Sequence, residues 1–277
     1  MSLTTHRFLL ASAGGACLAI LLPVASAVLS ACGDDESSGT TGQRVELATR
    51  VELAPAGNGP FTNDFGFEIT LERVLISVGE LRYFEGEPVG WLEPLPARTW
   101  GVRSAWAHPG HYQAGTELGE MLEPVTVDLL AAPVDLALGT GVTGEYRSAW
   151  FTFAAPPVGP DADELGDAVV LVRGEATGSD LTLRFEATAR ESDVLDTNDD
   201  PIVEGCPFDE QTVEGDGTVV VTIDPALWLD QVDFSRIPAD ETDDELVVLD
   251  PAEAPHKAFV RGLKKAAAFQ FSFVRDL

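Results

Sequence analysis

The segment Trp100-Gly-Val-Arg-Ser-Ala-Trp106-Ala-His108-Pro-Gly-His111-Tyr112 concentrates the chemistry-bearing side chains of this 277-residue chain. His108 and His111 stand three residues apart across a Pro-Gly turn. Such a turn can aim two imidazoles at one ion without gathering ligands from distant parts of the chain. Imidazole nitrogen suits copper, zinc and nickel. Two histidines need at least one more donor, and by residue type Met121, Glu117, Glu120 and His256 are the candidates. The same segment admits plainer roles. Trp100, Trp106 and Tyr112 would form an aromatic contact patch for an envelope protein or a glycan, or the rings would pack locally and leave the histidines without an ion.

A second group offers oxygen. Asp196, Asn198 and Asp200 fit the first three ligand positions of a calcium loop, and Asp193 could join them in a looser site. Counted from Asp196, the sixth position is Pro201 where an EF-hand needs Gly, and the twelfth is Pro207 where it needs Glu. An irregular calcium site or a solvated turn remains. Gly139-Thr-Gly141-Val-Thr-Gly144 spells a dinucleotide fingerprint. That chemistry needs a helix immediately afterwards to hold the pyrophosphate, and strand-like residues follow instead, so the segment reads as a turn. The chain has no Gly-x-Ser-x-Gly, His-Glu-x-x-His, Cys-x-x-Cys or Gly-Lys-Ser/Thr. With 46 Asp and Glu, carboxylate pairs arise by chance. The expectation is a binding protein and not an enzyme. A metal-assisted envelope enzyme would need a third ligand and an open coordination position.

The N-terminus supplies an address. Met1 to Arg7 is weakly positive, Phe8 to Val28 is apolar, and Leu29-Ser30-Ala31-Cys32 follows. This resembles the bacterial lipoprotein signal, an aliphatic residue and two small ones before the cysteine that takes lipid. The resemblance implies that residues 1–31 are a signal peptide and that Cys32 carries the lipid anchor. The protein would then sit on a cell-envelope membrane, facing the periplasm or the outside. The competing reading is an uncleaved anchor, for which the apolar run is long enough. Residues 32–43 are polar and Gly-rich, a flexible tether. Cys206 is then the lone mature thiol, with no partner for an intrachain disulfide. A net charge of −29 repels phosphate backbones and anionic headgroups, so nucleic-acid binding and polybasic membrane docking are excluded as expectations.

Short strands must position these groups. Val45, Leu47, Thr49, Val51 and Leu53 alternate with polar neighbours, as do Leu181, Leu183, Phe185, Ala187 and Ala189. Phe67, Ile69 and Leu71 alternate, the phase slips near Arg73, and Val74, Ile76 and Val78 resume, which predicts a bulge. Asp224-Pro225 reads as a helix cap with proline at the first helical position, opening a short helix over 226–232. A second helix is expected over 255–268, with Lys264 and Lys265 in its last turn. The fold class is mainly β: one antiparallel β-sandwich domain over residues 44–277, with one or two short helices near the C-terminus.

The order of these segments carries a resemblance. Phe67-Glu-Ile-Thr-Leu-Glu-Arg-Val-Leu-Ile-Ser-Val-Gly-Glu-Leu precedes the His/Trp loop, and Val127-Asp-Leu-Leu leads through Gly141 and Gly144 to Tyr146 and a Phe-rich strand. Gly174-Glu-Ala-Thr-Gly-Ser-Asp-Leu-Thr-Leu-Arg-Phe follows as a turn and strand. This layout resembles the methanobactin-associated periplasmic copper-binding proteins over most of residues 45–275. The resemblance implies a β-sandwich of the cell envelope whose copper site combines histidine with a modified tryptophan. It makes His108 and His111 candidate ligands, and Trp100 or Trp106 the candidate modified residue.

Overall fold

Alternation of apolar and polar residues dictates most of the observed strands. The computed structural model describes residues 42–88, 112–238 and 246–275. Along the chain come β1 (Arg44–Leu53), β2 (Phe61–Thr62), β3 (Glu68–Phe84), β4 (Glu117–Met121), β5 (Val125–Asp128), β6 (Val134–Asp135), β7 (Gly139–Val142) and β8 (Gly144–Phe153). After α1 (Ala162–Leu165) come β9 (Ala168–Thr177), β10 (Thr182–Arg190), α2 (Glu191–Val194), β11 (Ile202–Val213) and β12 (Gly217–Ile223). The chain closes with α3 (Pro225–Leu229), β13 (Val247–Val248), α4 (Ala254–Leu263) and β14 (Phe269–Arg275). The protein is therefore mainly β with a few short helices, in a sandwich-like arrangement. In β1, Val45, Leu47, Thr49 and Val51 are buried and the residues between them are not, as period-2 burial requires.

β3 organises the molecule. Its first half pairs with β9 through Ile76, and β9 with β10. Its second half pairs with β8 on one edge and with β4 on the other. From β4 the pairings run through β7, β1, β12, β14 and β11 back to β8, so this part of the sandwich closes on itself. The β11–β14 contact in that circuit is a single residue pair, Phe208 with Phe271. The bulge expected near Arg73 is present: the β3–β9 register shifts between Leu71 and Arg73.

The sheet is mixed, not purely antiparallel. β1 runs parallel to β12, β10 to β13, and β11 to β14. Alternation specifies which face of a strand is buried and says nothing of its neighbour's direction. Parallel neighbours need a long crossover, and more than 160 residues separate β1 from β12.

Aromatic residues fill the space between the layers. Tyr83, Tyr146, Phe208 and Phe271 form one cluster, with ring centroids 5.4–6.1 Å apart. Phe151 stacks on Phe269 at 4.2 Å. Burying each such ring stabilises the fold by about 1.5–3 kcal/mol.

Asp224 caps α3 as expected, its carboxylate accepting from the Ala226 amide at 3.0 Å. α4 is shorter than the sequence implied and ends at Leu263, with a separate 3-10 turn at Ala266–Ala268. Lys264 and Lys265 reach across to other elements. Lys264 Nζ donates to the Leu195 carbonyl at 2.8 Å and Lys265 Nζ to the Leu227 carbonyl at 3.3 Å. Among the described residues no helix is long and apolar enough to cross a membrane. The leader, Cys32 and most of the tether lie outside the described residues.

Candidate functional site

His108, His111, Trp100 and Trp106 lie outside the described residues, in the segment 89–111 that joins β3 to β4. The two ends of that segment are described, and they are held together. The Glu85 amide donates to the Thr116 carbonyl at 3.2 Å, and the Gly86 amide to the Ala114 carbonyl at 2.8 Å. Thr116 Oγ1 donates to Glu85 Oε1 at 2.7 Å. Arg147 of β8 pairs with Glu87 on one side and with Glu145 on the other. Tyr112, the residue after His111, shares a 2.6 Å hydrogen bond between its hydroxyl and Ser148 Oγ.

These contacts place the neck of the loop against the outer face of β8. Strand alternation breaks there: Tyr146, Ala149, Phe151 and Phe153 are buried in the core, whereas Arg147 and Trp150 are only half-buried. The register with β11 shifts between Val203 and Cys206 and again between Pro207 and Gln211. Gly205 in the first bulge has φ 67°, a conformation that favours glycine. Trp150 packs on Phe84 of β3 with centroids 4.6 Å apart.

The electrostatics of this wall follow from burial. Burial raises the Tyr112 phenol to about 12; the Ser148 hydrogen bond works against the shift, and Cys206 and Glu204 add to it. Burial also raises the Glu204 carboxyl, and the neighbouring negative charges of Asp196 and Asp200 push it further. The Cys206 thiol is buried and pushed up by burial, with Sγ on the Val203 carbonyl at 3.3 Å. That environment makes it an inert core thiol. Tyr112, with its ring half-buried and its hydroxyl engaged, is also not the open contact residue that an aromatic patch would use.

The outlying donors of the sequence reading are engaged elsewhere. Met121 is fully buried in the core beside Leu81. His256 lies on α4, 3% exposed, with Nε2 on the Thr188 carbonyl of β10 at 2.8 Å and its ring edge-on to Phe259. Both are core side chains. Glu117 accepts from Arg82 at 3.0 Å, and Glu120 lies 4.0 Å from the same guanidinium.

The residues proposed for calcium do not form a cage. Asp193 accepts from the Arg190 amide at 2.8 Å and caps α2. Asp196 Oδ1 accepts from the Asn198 and Asp200 amides at 2.7 and 3.0 Å, and Oδ2 from the Asn198 side chain at 3.2 Å. Burial opposes the Asp196 charge, but these donors more than offset it and hold the carboxyl below its usual value. Among the described residues no group of three or more His, Cys, Asp or Glu side chains is placed to hold a metal ion.

The glycine-rich segment 139–144 spans β7 and the start of β8, with no helix after it. Its glycines serve packing: a Cβ on Gly141 would lie 2.5 Å from the Tyr146 hydroxyl and 2.7 Å from Leu47 Cδ1. Ser148, Trp150 and Glu204 were missed by residue-type reasoning. The signal that could have exposed them is the break in alternation at Arg147-Ser148 and the Gly205-Cys206-Pro207 run across from it.

No protein-family model matches the chain, and no curated protein matches it. Among solved structures it is similar to MbnP from Methylosinus trichosporium, with 12% sequence identity and a TM-score of 0.37. The similarity covers 85% of this chain and 100% of that one.

Proposed function

We propose that the chain is a cell-envelope binding protein, anchored by lipid at Cys32, that holds a transition-metal ion on His108 and His111. Copper is the first candidate and zinc the second, because imidazole serves both. The observation that supports this reading is the closed neck. The Glu85–Thr116, Gly86–Ala114 and Tyr112–Ser148 contacts fix both ends of the segment that carries the two histidines. Chain whose ends are already ordered loses less entropy when its side chains converge on an ion. The net charge of −29 attracts cations to the surface as a whole and adds little specificity. The role is capture and retention of the ion, without turnover.

Calorimetric titration of the full chain with Cu(II) and with Zn(II), beside the His108→Ala/His111→Ala double variant, tests it. Saturable binding near one ion per chain, lost in the double variant, is the expected result. Weak binding that the variant retains would assign the ions to the acidic surface and end the reading.

A further inference from the structure

We infer that residues 160–165, which carry α1, form a hinged flap that lifts as a unit from the outer face of β3 and β9, with Glu164 as its latch. The starting point is the order of residues on that face. Val74, Ile76, Val170 and Val172 turn into the core, so Arg73, Leu75, Leu171 and Arg173 turn outward. The ladder sets Arg73 directly opposite Arg173, and Leu75 directly opposite Leu171. Opposed like charges destabilise a sheet, and opposed leucines on an outer face meet water unless something covers them.

Two consecutive residues of α1 supply the cover. Leu165 joins Leu75, Ala168 and Leu171 in a cluster separate from the main core, with none of the four more than 4% exposed. Glu164 gives one oxygen to each strand. Its Oε1 accepts from Arg173 Nη1 at 2.7 Å, and its Oε2 from Arg73 Nη2 at 2.8 Å and Nε at 3.2 Å. Three more carboxylates face the latch: Asp161 beside α1 at 3.0 Å from Arg73 Nη2, Asp128 of β5 on Arg73, and Glu186 of β10 on Arg173.

The remaining contacts let the flap move. A four-residue helix has no stability of its own, and Asp161 at its N-terminus makes no side-chain cap. The backbone hydrogen bonds are local: the Ala162 amide donates to the Gly159 carbonyl at 3.2 Å, Glu164 to Asp161 at 3.2 Å, and Gly166 to Ala162 at 3.1 Å. The segment therefore lifts without breaking a ladder. A left-handed glycine stands at each end, Gly159 with φ 108° and Gly166 with φ 62°. A Cβ on Gly166 would meet nothing within 4 Å, so that glycine serves backbone freedom and not packing. The chain on either side is fixed. The Val158 carbonyl accepts from the Thr126 amide at 2.6 Å, and β9 begins at Ala168. Opening uncovers Leu75 and Leu171 and leaves the sheet whole.

The latch is ionic, so salt and acid weaken it. The Arg73 hydrogen bond, with help from Arg173, holds the Glu164 carboxyl below its ordinary value of 4.5. Closure is thus fully supported above pH 4.5 and weakens as the pH falls below it.

Hydrogen exchange of the full chain, read by mass spectrometry, tests the flap in the parent, in Glu164→Gln, and in Asp163→Asn as a control at an exposed acid of α1. In Glu164→Gln the amides of residues 161–166 should exchange about 3- to 10-fold faster, with those of β9 and β10 unchanged. The control should match the parent. Added salt should speed the same amides in the parent and less so in the Gln variant. Flap amides that exchange at the parent rate in Glu164→Gln, or that open only in step with β9, would overturn the inference.

Discussion

The first half of β3 lies in a regular region and the second half in an irregular one. With β9 and β10, the first half forms ladders with one bulge at Leu71/Arg73 and one at the end of β10. Outward charges there are matched. Arg73 pairs with Asp128, Asp161 and Glu164, Arg173 with Glu164 and Glu186, and Arg184 with Glu72. The second half, with β8 and β11, has repeated register shifts, a left-handed Gly205, a tyrosine–serine pin and a half-buried carboxylate, Glu204, whose ionisation burial opposes. A sheet gains no stability from such departures. Bulges re-aim side chains and are over-represented at sheet edges and beside binding sites.

Substitutions that separate stability from binding should break the two regions apart. The largest effect is expected from Phe185→Ala in the regular region. Phe185 is fully buried, with Phe234 at 4.9 Å. Its truncation should cost about 3–5 kcal/mol in chemical denaturation while the remaining folded protein keeps the parent affinity for Cu(II). A parallel loss of affinity would mean that the regions are not independent. Next is Gly141→Ala, whose new methyl group would meet the Tyr146 hydroxyl and Leu47. Overpacking there should cost about 1–3 kcal/mol, read as a lowered thermal midpoint.

Tyr112→Phe should destabilise less, by about 1 kcal/mol, because only one partly buried hydrogen bond is lost. Unlike Phe185→Ala, it should weaken metal binding. Ser148→Ala should do the same, and the double variant should add little to either single one.

The smallest effect is spectroscopic. All three tyrosines have phenols raised above the ordinary value of 10, by burial first in each case, with Tyr112 and Tyr146 at about 12. An alkaline titration should therefore show little tyrosinate absorbance near pH 10 while the protein stays folded. The folded state holds these protons more tightly than the unfolded chain, whose phenols ionise near 10. Stability from this source is thus intact below pH 10 and falls as the pH rises from 10 towards 12. Tyrosinate appearing near pH 10 with the fold intact would show that the phenols are open to solvent.

Regular structure was legible in the sequence because burial on one face writes itself as alternation. β1, β10, the Arg73 slip and the Asp224-Pro225 cap could all be read from residue order. Strand direction was not legible, since Val45 to Val51 read identically beside a parallel or an antiparallel partner. The candidate site was legible only as donor types. His256 and Met121 have the side chains a metal needs, but burial is a property of the fold, and the fold puts both in its core. Glu204 was hidden for the converse reason. One acid among 46 has no distinction until the fold places it in the bulge between Val203 and Cys206.

The most direct measurement is the anomalous-scattering map of crystals of the chain grown with one equivalent of Cu(II). The account predicts one strong peak, coordinated by His108 and His111. A peak at the Asp196 turn, or copper scattered over surface carboxylates, would contradict it.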